Sequence, residues 1–166
     1  FVEIPVEVGS AKVENAGYKP AERYIRPAGD PARIRQAADL LAAARRPLIV
    51  VGGGALRSGA HAELRALAEL LGMPVMTTPS GRGLISEDHA LSIGQVGLYR
   101  TRLGMQAFKD ADLLVTVGSR NEEFQTGAWR IFPPGAKFVQ IDIEAFEIGR
   151  NWIPDAAVLG DARLVL

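Results

Sequence analysis

The chain has 166 residues, about the length of one domain, and its 48% of hydrophobic residues can fill a single packed core. Nineteen basic residues balance nineteen acidic ones, so no net charge attracts a nucleic acid, and no apolar run approaches the roughly 20 residues that cross a membrane. The absence of cysteine excludes disulfides, thiolate nucleophiles and Cys-ligated zinc, and two histidines far apart in sequence make a weak metal site. We expect a soluble, cytoplasmic protein with no nucleic-acid or membrane partner.

The first eight residues, FVEIPVEV, alternate apolar side chains with others, which is typical of a half-buried strand. Pro5 would restrict such a strand to a sheet edge or a special position. Residues 9–29 then contain Gly, Pro, Lys and Glu without a sustained apolar period, which is typical of a linker on the surface. At the other end, a helix capped by Asp161 has room for about a turn and a half. These features predict a domain excised from a longer protein, with its core beginning at Asp30.

From Asp30 onward, helical patterns alternate with short apolar runs. Asp30 and Pro31 are expected to be the N-cap and first residue of a helix that ends near Arg46. The run PLIVV at residues 47–51 predicts a strand buried on both faces, and Ser58 is expected to cap the helix that follows it. Further strands are predicted at 75–78, 90–93, 113–117, 138–143 and 157–159, and further helices at 101–109 and 146–149.

Strands that alternate with helices at this spacing need right-handed crossovers, which produce a parallel sheet covered by helices on both faces. We therefore predict an α/β domain with a doubly wound, Rossmann-like sheet of about six parallel strands. Ligands of such folds bind beyond the carboxyl ends of the strands, where the strand order reverses. The residues that follow each strand are the candidates for a binding site.

Three glycines follow the first predicted strand. The dinucleotide motif G-x-G-x-x-G is matched at Gly52 and Gly54, but Arg57 stands at its third glycine. The phosphate-loop spacing of NTPases is met by Gly54 and Gly59, but the Lys and Ser/Thr that should follow are missing. Two interpretations stay open: an anion site formed by backbone N–H groups at a helix start, and a tight corner between strand and helix.

Other predicted strand ends favour the binding interpretation. Gly118 allows close approach of a ligand and Arg120 offers a planar fork to a pyrophosphate. Asp142 and Asp161 can accept hydrogen bonds from ribose hydroxyls or an adenine amino group. Each polar residue also has a structural explanation: a surface ion pair with a neighbouring glutamate for Arg120, a solvated turn for Asp142 and helix capping for Asp161.

Residues that could perform catalysis are not found. His61 is expected in the first turn of a helix and His89 in a loop, and neither has a Ser or Asp partner at an informative spacing. Trp129, Phe132 and Trp152 are expected to be packing residues. We predict no catalytic and no metal-binding residue in this chain.

Taken in order, the segments of this chain resemble the central domain of thiamine-diphosphate-dependent enzymes, and the acetolactate synthase group in particular. The resemblance covers nearly the full chain and is carried by FVEIPVEV, PLIVVGGGALRSGAHAELRALAELLGMPVMTTPSGRGLISEDH, IGQVGLYRT, ADLLVTVGSR, KFVQIDIE, IGRN and VLGDA. It implies a DHS-like NAD/FAD-binding fold. It further implies that residues 1–8 are the last strand of a preceding pyrimidine-binding domain, 9–29 a linker and 30–166 the central domain.

The resemblance implies a function for a longer enzyme rather than for this segment alone. Such an enzyme joins or cleaves 2-keto acids with thiamine diphosphate and Mg²⁺, which its pyrimidine-binding and diphosphate-binding domains hold in a homo-oligomer. In the acetolactate synthase group the central domain binds FAD, and related central domains bind ADP or no nucleotide. Carried onto this sequence, the cofactor contacts fall on Gly53, Gly54, Thr77, Gly97, Gly118, Ser119, Arg120, Glu122, Asp142, Ile143, Gly160 and Asp161.

Two departures from the family pattern leave FAD, ADP and no nucleotide all open. Where the group has G-A-R-F-D-D-R-V-T-G, this chain has GSRNEEFQTG, so Glu122 replaces an aspartate and Phe124 an arginine. Where the group has G-M-H-G, this chain has GLYR, with Arg100 in place of a glycine. The alternatives to a carboligase or lyase domain are a stand-alone NAD-dependent enzyme of related fold and a structural domain with a vestigial crevice.

Overall fold

The computed structural model describes residues 1–12, 14, 17, 19 and 25–166. Within this part of the chain the strands are β1 Pro47–Val51, β2 Val75–Thr77, β3 Ser92–Gln95, β4 Leu113–Val117, β5 Lys137–Asp142 and β6 Ala156–Leu159. They form one parallel sheet in the order β3-β2-β1-β4-β5-β6. The chain runs outward from β1 to β3, returns to place β4 beside β1, and runs outward again to β6. The predicted doubly wound topology is confirmed, and the strand order reverses between β1 and β4.

The described helices are α1 Val6–Gly9, α2 Pro31–Ala43, α3 Gly53–Ser58, α4 His61–Leu71, α5 Arg102–Asp110, α6 Glu123–Thr126 and α7 Ala162–Val165. Asp30 caps α2 as predicted, because its carboxylate accepts a hydrogen bond from the Ala32 N–H at 2.8 Å. Single 3-10 turns occur at Pro79–Gly81, Gly97–Tyr99 and Ala145–Glu147. Among the described ranges no helix is both long and apolar enough to cross a membrane.

The core lies on both faces of the sheet, as the continuous apolar runs of β1 and β4 predict. Ile49 and Val51 of β1 pack into one cluster with Leu64 of α4, whereas Leu48 and Val50 pack into a second cluster on the other face. In the second cluster the ring of Phe138 stands edge-on to Phe132 and Trp152, at centroid distances of 5.7 and 5.9 Å. The central strands are therefore packed on both faces, and they fix the points from which the loops at their carboxyl ends leave the sheet.

Residues 1–8 do not form a strand in this structure, and their assignment as the last strand of a preceding domain stays a prediction. Residues Val6–Gly9 form the helix α1, and the apolar side chains of Phe1, Val2, Ile4, Val6 and Val8 are all exposed. An alternating pattern is stable as a strand only beside another strand, and none of the described strands lies next to this segment. The predicted linker at 9–29 falls partly on residues 13, 15, 16, 18 and 20–24, which are outside the described residues.

The prediction that Ser58 caps the helix that follows it is also wrong. The glycine turn itself opens α3 at Gly53, and α3 ends at Ser58, after which Gly59 adopts a left-handed φ of 76°. The next helix, α4, starts after Ala60 without a side-chain cap. The hydroxyl of Ser58 is used elsewhere: it donates to the carboxylate of Asp161 at 2.7 Å.

Candidate functional site

A cleft of about 520 Å³ lies at the carboxyl ends of β1, β4 and β5. This is the place where the strand order reverses, and the volume falls within the roughly 300–1,000 Å³ of small-molecule sites. The lining comes from the start of α3, the 3-10 turn after β2 and the loops after β4 and β5. Its residues are Gly53, Gly54, Arg57, Thr78, Ser80, Gly118, Arg120, Glu122, Gln125, Asp142, Ile143, Glu144 and Glu147.

Several residues predicted for the site line this cleft together, namely Gly53, Gly54, Gly118, Arg120, Glu122, Asp142 and Ile143. The structure places five others outside its lining, namely Thr77, Gly97, Ser119, Gly160 and Asp161. Sequence reasoning missed Arg57, Thr78, Ser80, Gln125, Glu144 and Glu147. Thr78 follows Thr77, and the sequence does not show which of the two threonines faces the cleft. Ser80, Glu144 and Glu147 lie in or beside 3-10 turns, whose path the pattern of apolar residues does not predict.

The glycines of the first turn are required by close contact between two backbone segments. The Gly54 N–H donates to the Gly118 carbonyl at 3.0 Å, and the Gly52 N–H donates to the Val117 carbonyl at 2.9 Å. A Cβ added at Gly52 or Gly54 would overlap the backbone of Gly118. The tight-corner interpretation is therefore confirmed for these positions, and the Gly54 N–H already has a partner within the protein.

Thr78 brings an unsatisfied hydroxyl to the lining of the cleft. The residue is 1% exposed, and its Oγ1 forms no hydrogen bond to any part of the chain that the structure describes. A buried polar atom left in this state costs about 1–3 kcal/mol. The predicted neighbour, Thr77, lies within β2 and does not line the cleft, because successive side chains of a strand point to opposite faces.

One end of the cleft is acidic. Asp142 and Glu147 are 7% and 9% exposed, and the Asp142 carboxylate accepts a hydrogen bond from the Glu144 N–H at 2.9 Å. Burial raises the pKa of Asp142 above its ordinary range; the hydrogen bond from Glu144 opposes this rise, and the nearby charge of Glu147 adds to it. In the described residues, no three His, Cys, Asp or Glu side chains are grouped closely enough to hold a metal ion.

Two arginines also line the cleft. Arg57 projects from α3 and is exposed, and Arg120 pairs with Glu122 at 2.9 Å with both side chains partly exposed. The surface ion pair considered for Arg120 is thus present. A pair of this exposure contributes about 0–1 kcal/mol, so an anionic ligand can compete with Glu122 for the guanidinium. The lining of the cleft therefore contains both cations and buried carboxylates.

Asp161 contacts the segment that precedes α2 rather than the cleft. Its carboxylate, 4% exposed, accepts hydrogen bonds from the Ser58 hydroxyl at 2.7 Å, the Arg163 N–H at 3.1 Å and the Arg26 guanidinium at 3.2 Å. Its own N–H donates to the Pro27 carbonyl at 2.8 Å. The helix-capping explanation is confirmed, and the same side chain also anchors residues 26 and 27.

Three other predicted residues, Ser119, Gly97 and Gly160, are explained by contacts within the protein. Ser119 donates its hydroxyl to the Gln125 side-chain oxygen at 3.1 Å, inside the loop after β4. Gly97 has a left-handed φ of 83°, and a Cβ there would overlap the backbone of Phe124 and Gln125. Gly160 donates its N–H to the Asp142 carbonyl at 2.8 Å, so it ties the end of β6 to the end of β5.

The loop after β4 is strained next to the cleft. Asn121, Ala128 and Trp129 adopt left-handed φ values of 50°, 58° and 60°, which cost about 1–2 kcal/mol for each residue that is not glycine. The Trp129 indole N–H donates to the Asn121 carbonyl at 3.0 Å, and the Asn151 amide donates to the same oxygen at 2.9 Å. Strain of this kind is characteristic of functional loops, and these contacts hold Arg120 and Glu122 in place.

Asp142 also makes the stability of the protein depend on pH. Because the pKa of Asp142 is raised in the folded state, its ionisation opposes folding as pH rises through that value, and the effect is absent below pH 3.8, where the carboxyl is protonated in both states. Asp142→Asn, which keeps the oxygen that accepts from Glu144, is expected to unfold at a higher temperature than the wild type at pH 7. Thermal unfolding followed at pH 7 and pH 3 checks this, and the difference should vanish at pH 3.

Asp155→Asn is the matched control for this measurement. Its hydrogen bond to Lys137 lowers the pKa of Asp155, although partial burial opposes this. Removing the charge should therefore destabilise the protein at pH 7, the opposite sign to Asp142→Asn. If both substitutions lowered the unfolding temperature, the assignment of Asp142 as a carboxylate that opposes folding would be wrong.

Comparison with known protein families identifies the family to which this domain belongs. Residues 34–166 match the family model described as thiamine pyrophosphate enzyme, central domain. The chain belongs to this family. The resemblance found in the sequence is thereby confirmed, and the α/β fold with its parallel sheet is the fold of a thiamine pyrophosphate enzyme central domain.

Relatives of this central domain include proteins named acetolactate synthase. The chain is 43% identical over 156 residues to the "Probable acetolactate synthase large subunit" of Methanocaldococcus jannaschii, covering 94% of this chain and 26% of the relative. It is 40% identical over 166 residues to the "Acetolactate synthase" of Arthrospira platensis, covering 98% and 28%. The chain thus spans about a quarter of the length of the curated relatives it matches.

A solved structure supports the same family. A protein from Mycobacterium smegmatis, provisionally described as a thiamin diphosphate-dependent enzyme, superposes with a TM-score of 0.70 at 30% sequence identity. The match covers 87% of this chain and 28% of that one. The central domain therefore occupies a similar fraction of the solved relative as of the curated ones.

Proposed function

We propose that this chain is the central domain of an acetolactate synthase-like enzyme that joins or cleaves 2-keto acids. Its curated relatives carry the acetolactate synthase name, and its family is defined by thiamine pyrophosphate. Thiamine diphosphate and Mg²⁺ would be held by pyrimidine-binding and diphosphate-binding domains of the same protein, in a cytoplasmic homo-oligomer. The central domain then contributes cofactor binding and structural support rather than a reacting group.

The ligand of this domain is an adenosine diphosphate group, present as ADP or as part of FAD. The observation that carries this proposal is the cleft at the strand reversal, whose lining contains the residue Thr78 with its unpaired hydroxyl, two arginines and two buried carboxylates. Arg57 and Arg120 would bind the diphosphate, and Asp142 would accept hydrogen bonds from the nucleoside. A nucleotide bound in this way supplies a brace between α3, the loop after β4 and the turn after β5.

Arg120, Thr78 and Gly53 have specific roles in this proposal. Arg120 exchanges the carboxylate of Glu122 for a phosphate oxygen, which forms a charge-assisted hydrogen bond in a less exposed place. Rotation about the Thr78 Cα–Cβ bond turns its hydroxyl toward a phosphate acceptor. Gly53 has no side chain, so the first turn of α3 leaves the ligand's path open beside Ser80.

Thr78→Val tests the proposal through two opposite effects. Valine fills the same space without the unpaired hydroxyl, so the ligand-free protein should become more stable by about 1 kcal/mol. Affinity for ADP should fall about three- to tenfold, because a neutral hydrogen bond contributes about 0.5–1.5 kcal/mol. Urea unfolding measures the first effect, and isothermal titration with ADP and FAD measures the second.

Thr116→Val is the matched control. Thr116 is 2% exposed like Thr78, but its hydroxyl accepts a hydrogen bond from the Asn121 amide at 3.4 Å, so the same replacement should lower stability. Failure of ADP, FAD and NAD to bind the wild type at micromolar concentration would instead identify a structural domain with a vestigial crevice. Tight binding of NAD with turnover would favour a stand-alone NAD-dependent enzyme.

A further inference from the structure

Asn151 joins the loop that carries Arg120 to the segment between β5 and β6. Its side-chain amide nitrogen donates to the Arg120 carbonyl at 3.0 Å and to the Asn121 carbonyl at 2.9 Å. Both neighbours of this nitrogen are carbonyl oxygens, which only accept hydrogen bonds, so the NH2 group of the amide and not its oxygen must face them. The two donors of one side chain are thus matched to two successive acceptors in the loop after β4.

The chain on either side of Asn151 is held in place. Before it, the buried side chain of Gln140 in β5 donates to the Glu147 carbonyl at 2.8 Å and accepts from the Gly149 N–H at 2.9 Å. After it, the ring of Trp152 packs against the second core cluster. Asn151 therefore lies between two anchored neighbours, and its amide loses little conformational freedom when it binds the loop.

The carbonyl of Asn121 makes the shortest contacts of that residue. The Asn121 N–H donates to Ser119 Oγ at 3.4 Å and its side-chain amide donates to Thr116 Oγ1 at 3.4 Å, which exceeds the roughly 2.7–3.2 Å of ordinary N–H···O bonds. Its carbonyl, in contrast, accepts from Asn151 at 2.9 Å and from the Trp129 indole at 3.0 Å. These two bonds use both lone pairs of the oxygen and hold the backbone at its left-handed φ of 50°.

The position of Arg120 depends on these backbone contacts, because its side-chain contact is weak. The Arg120 side chain is 66% exposed and pairs with Glu122, which is 44% exposed, so the pair adds little to hold it. The carbonyl that accepts from Asn151 at 3.0 Å belongs to Arg120 itself. That bond fixes the peptide plane beside the Cα from which the side chain extends into the lining of the cleft.

We propose that Asn151 is a positioning residue for the ligand of the cleft. By donating to the carbonyls of Arg120 and Asn121, it holds the loop in the conformation from which the Arg120 guanidinium reaches an anionic group. Asn151 does not line the cleft itself, so it acts through Arg120. The inference rests on the proposed nucleotide function and adds to it a residue outside the binding surface.

Asn151→Asp and Asn151→Ala separate hydrogen-bond donation from the filling of space. Aspartate has the size of asparagine, but at pH 7 its carboxylate cannot donate and would face two carbonyl oxygens. In isothermal titration of the whole chain, Asn151→Ala should bind ADP about three- to tenfold more weakly than the wild type, and Asn151→Asp at least as weakly as Asn151→Ala. Wild-type affinity in Asn151→Asp would show that only the shape of the residue matters and would overturn the inference, and so would wild-type affinity in Asn151→Ala.

The indole N–H of Trp129 reports on the loop without any ligand. It shares the Asn121 carbonyl with Asn151, so its hydrogen exchange, followed by NMR, should accelerate at least about twofold in Asn151→Ala while the amides of β4 keep their rates. An unchanged indole rate would contradict the proposed role. Equal acceleration in β4 would reduce Asn151 to a residue of general stability and would also contradict it.

Gln36→Ala is the matched control. Gln36 lies in α2, and its side-chain amide also donates to a backbone carbonyl of the connection between β5 and β6, that of Asp155 at 3.0 Å, but it does not contact the loop after β4. Its replacement should leave ADP affinity and Trp129 exchange unchanged, and a loss as large as at Asn151 would overturn the inference. If the wild type binds no ADP at micromolar concentration, the proposed function is wrong, and the indole exchange alone decides whether Asn151 holds the loop.

Discussion

Gly118→Ala is expected to lose about 2–5 kcal/mol of unfolding free energy, a large part of the roughly 5–15 kcal/mol that stabilises an ordinary domain. Gly118 has a left-handed φ of 57°, which costs an alanine about 1–2 kcal/mol. In addition, the new Cβ would overlap backbone atoms of Gly54 and Ala55, which belong to α3 and cannot rotate away. The two loops that form the centre of the cleft would be forced apart.

Gly72→Ala separates the two causes of this loss. Gly72 has a similar left-handed φ of 59°, but a Cβ at this position meets nothing within 4 Å. Its substitution should cost only the conformational part, about 1–2 kcal/mol. Urea unfolding of both variants measures the difference. Equal losses would show that the close approach of the two backbones does not require glycine at position 118.

Asp161→Ala is expected to lower the unfolding free energy by about 3 kcal/mol, because it removes a buried acceptor of several hydrogen bonds. The Ser58 hydroxyl would lose its acceptor, and the Arg163 N–H would keep only its 2.8 Å bond to the Ser58 oxygen, while Arg26, half exposed, would turn to water at little cost. The segment at Arg26 and Pro27 would be held less firmly. Hydrogen exchange at the amide of residue 161, which donates to the Pro27 carbonyl, should accelerate.

Asp30→Ala is the control for the loss of a helix cap alone. Asp30 also caps a helix, but it is exposed, and its side chain accepts one hydrogen bond, from the Ala32 N–H. Its replacement should cost about 1 kcal/mol. A loss at Asp161 no larger than the loss at Asp30 would reduce Asp161 to an ordinary cap and contradict its role as an anchor.

The central strands could be predicted from the sequence because burial on both faces produces continuous apolar runs. The bounds predicted for β1 and β4, 47–51 and 113–117, agree with the structure. The edge strand β3 was predicted two residues too early, at 90–93, since its sequence SIGQ carries little apolar signal. Residues 1–8 have a clear alternating pattern, but no described strand lies next to them and they do not form a strand in this structure.

Part of the lining of the candidate cleft could be predicted from the sequence, and the rest could not. Loops at the carboxyl ends of β4 and β5 could be located from the strands alone, so Gly118, Arg120 and Asp142 were found. The choice between Thr77 and Thr78 depends on which face of β2 each side chain takes, and adjacent threonines carry no signal for that. Contacts between residues distant in sequence are equally invisible, such as Arg26 with Asp161, 135 positions apart.

The two tryptophans of the chain lie in places that make them separate optical reporters. Trp129 is partly exposed in the strained loop beside the cleft, and its indole is bonded to the carbonyl of Asn121, next to Arg120. Trp152 packs against Phe132 with ring centroids 4.9 Å apart. Emission from Trp129 should therefore respond to events at the cleft mouth, while emission from Trp152 follows the integrity of the core. Variants that keep only one of the two tryptophans would allow ligand binding in the cleft and unfolding of the core to be measured separately by fluorescence.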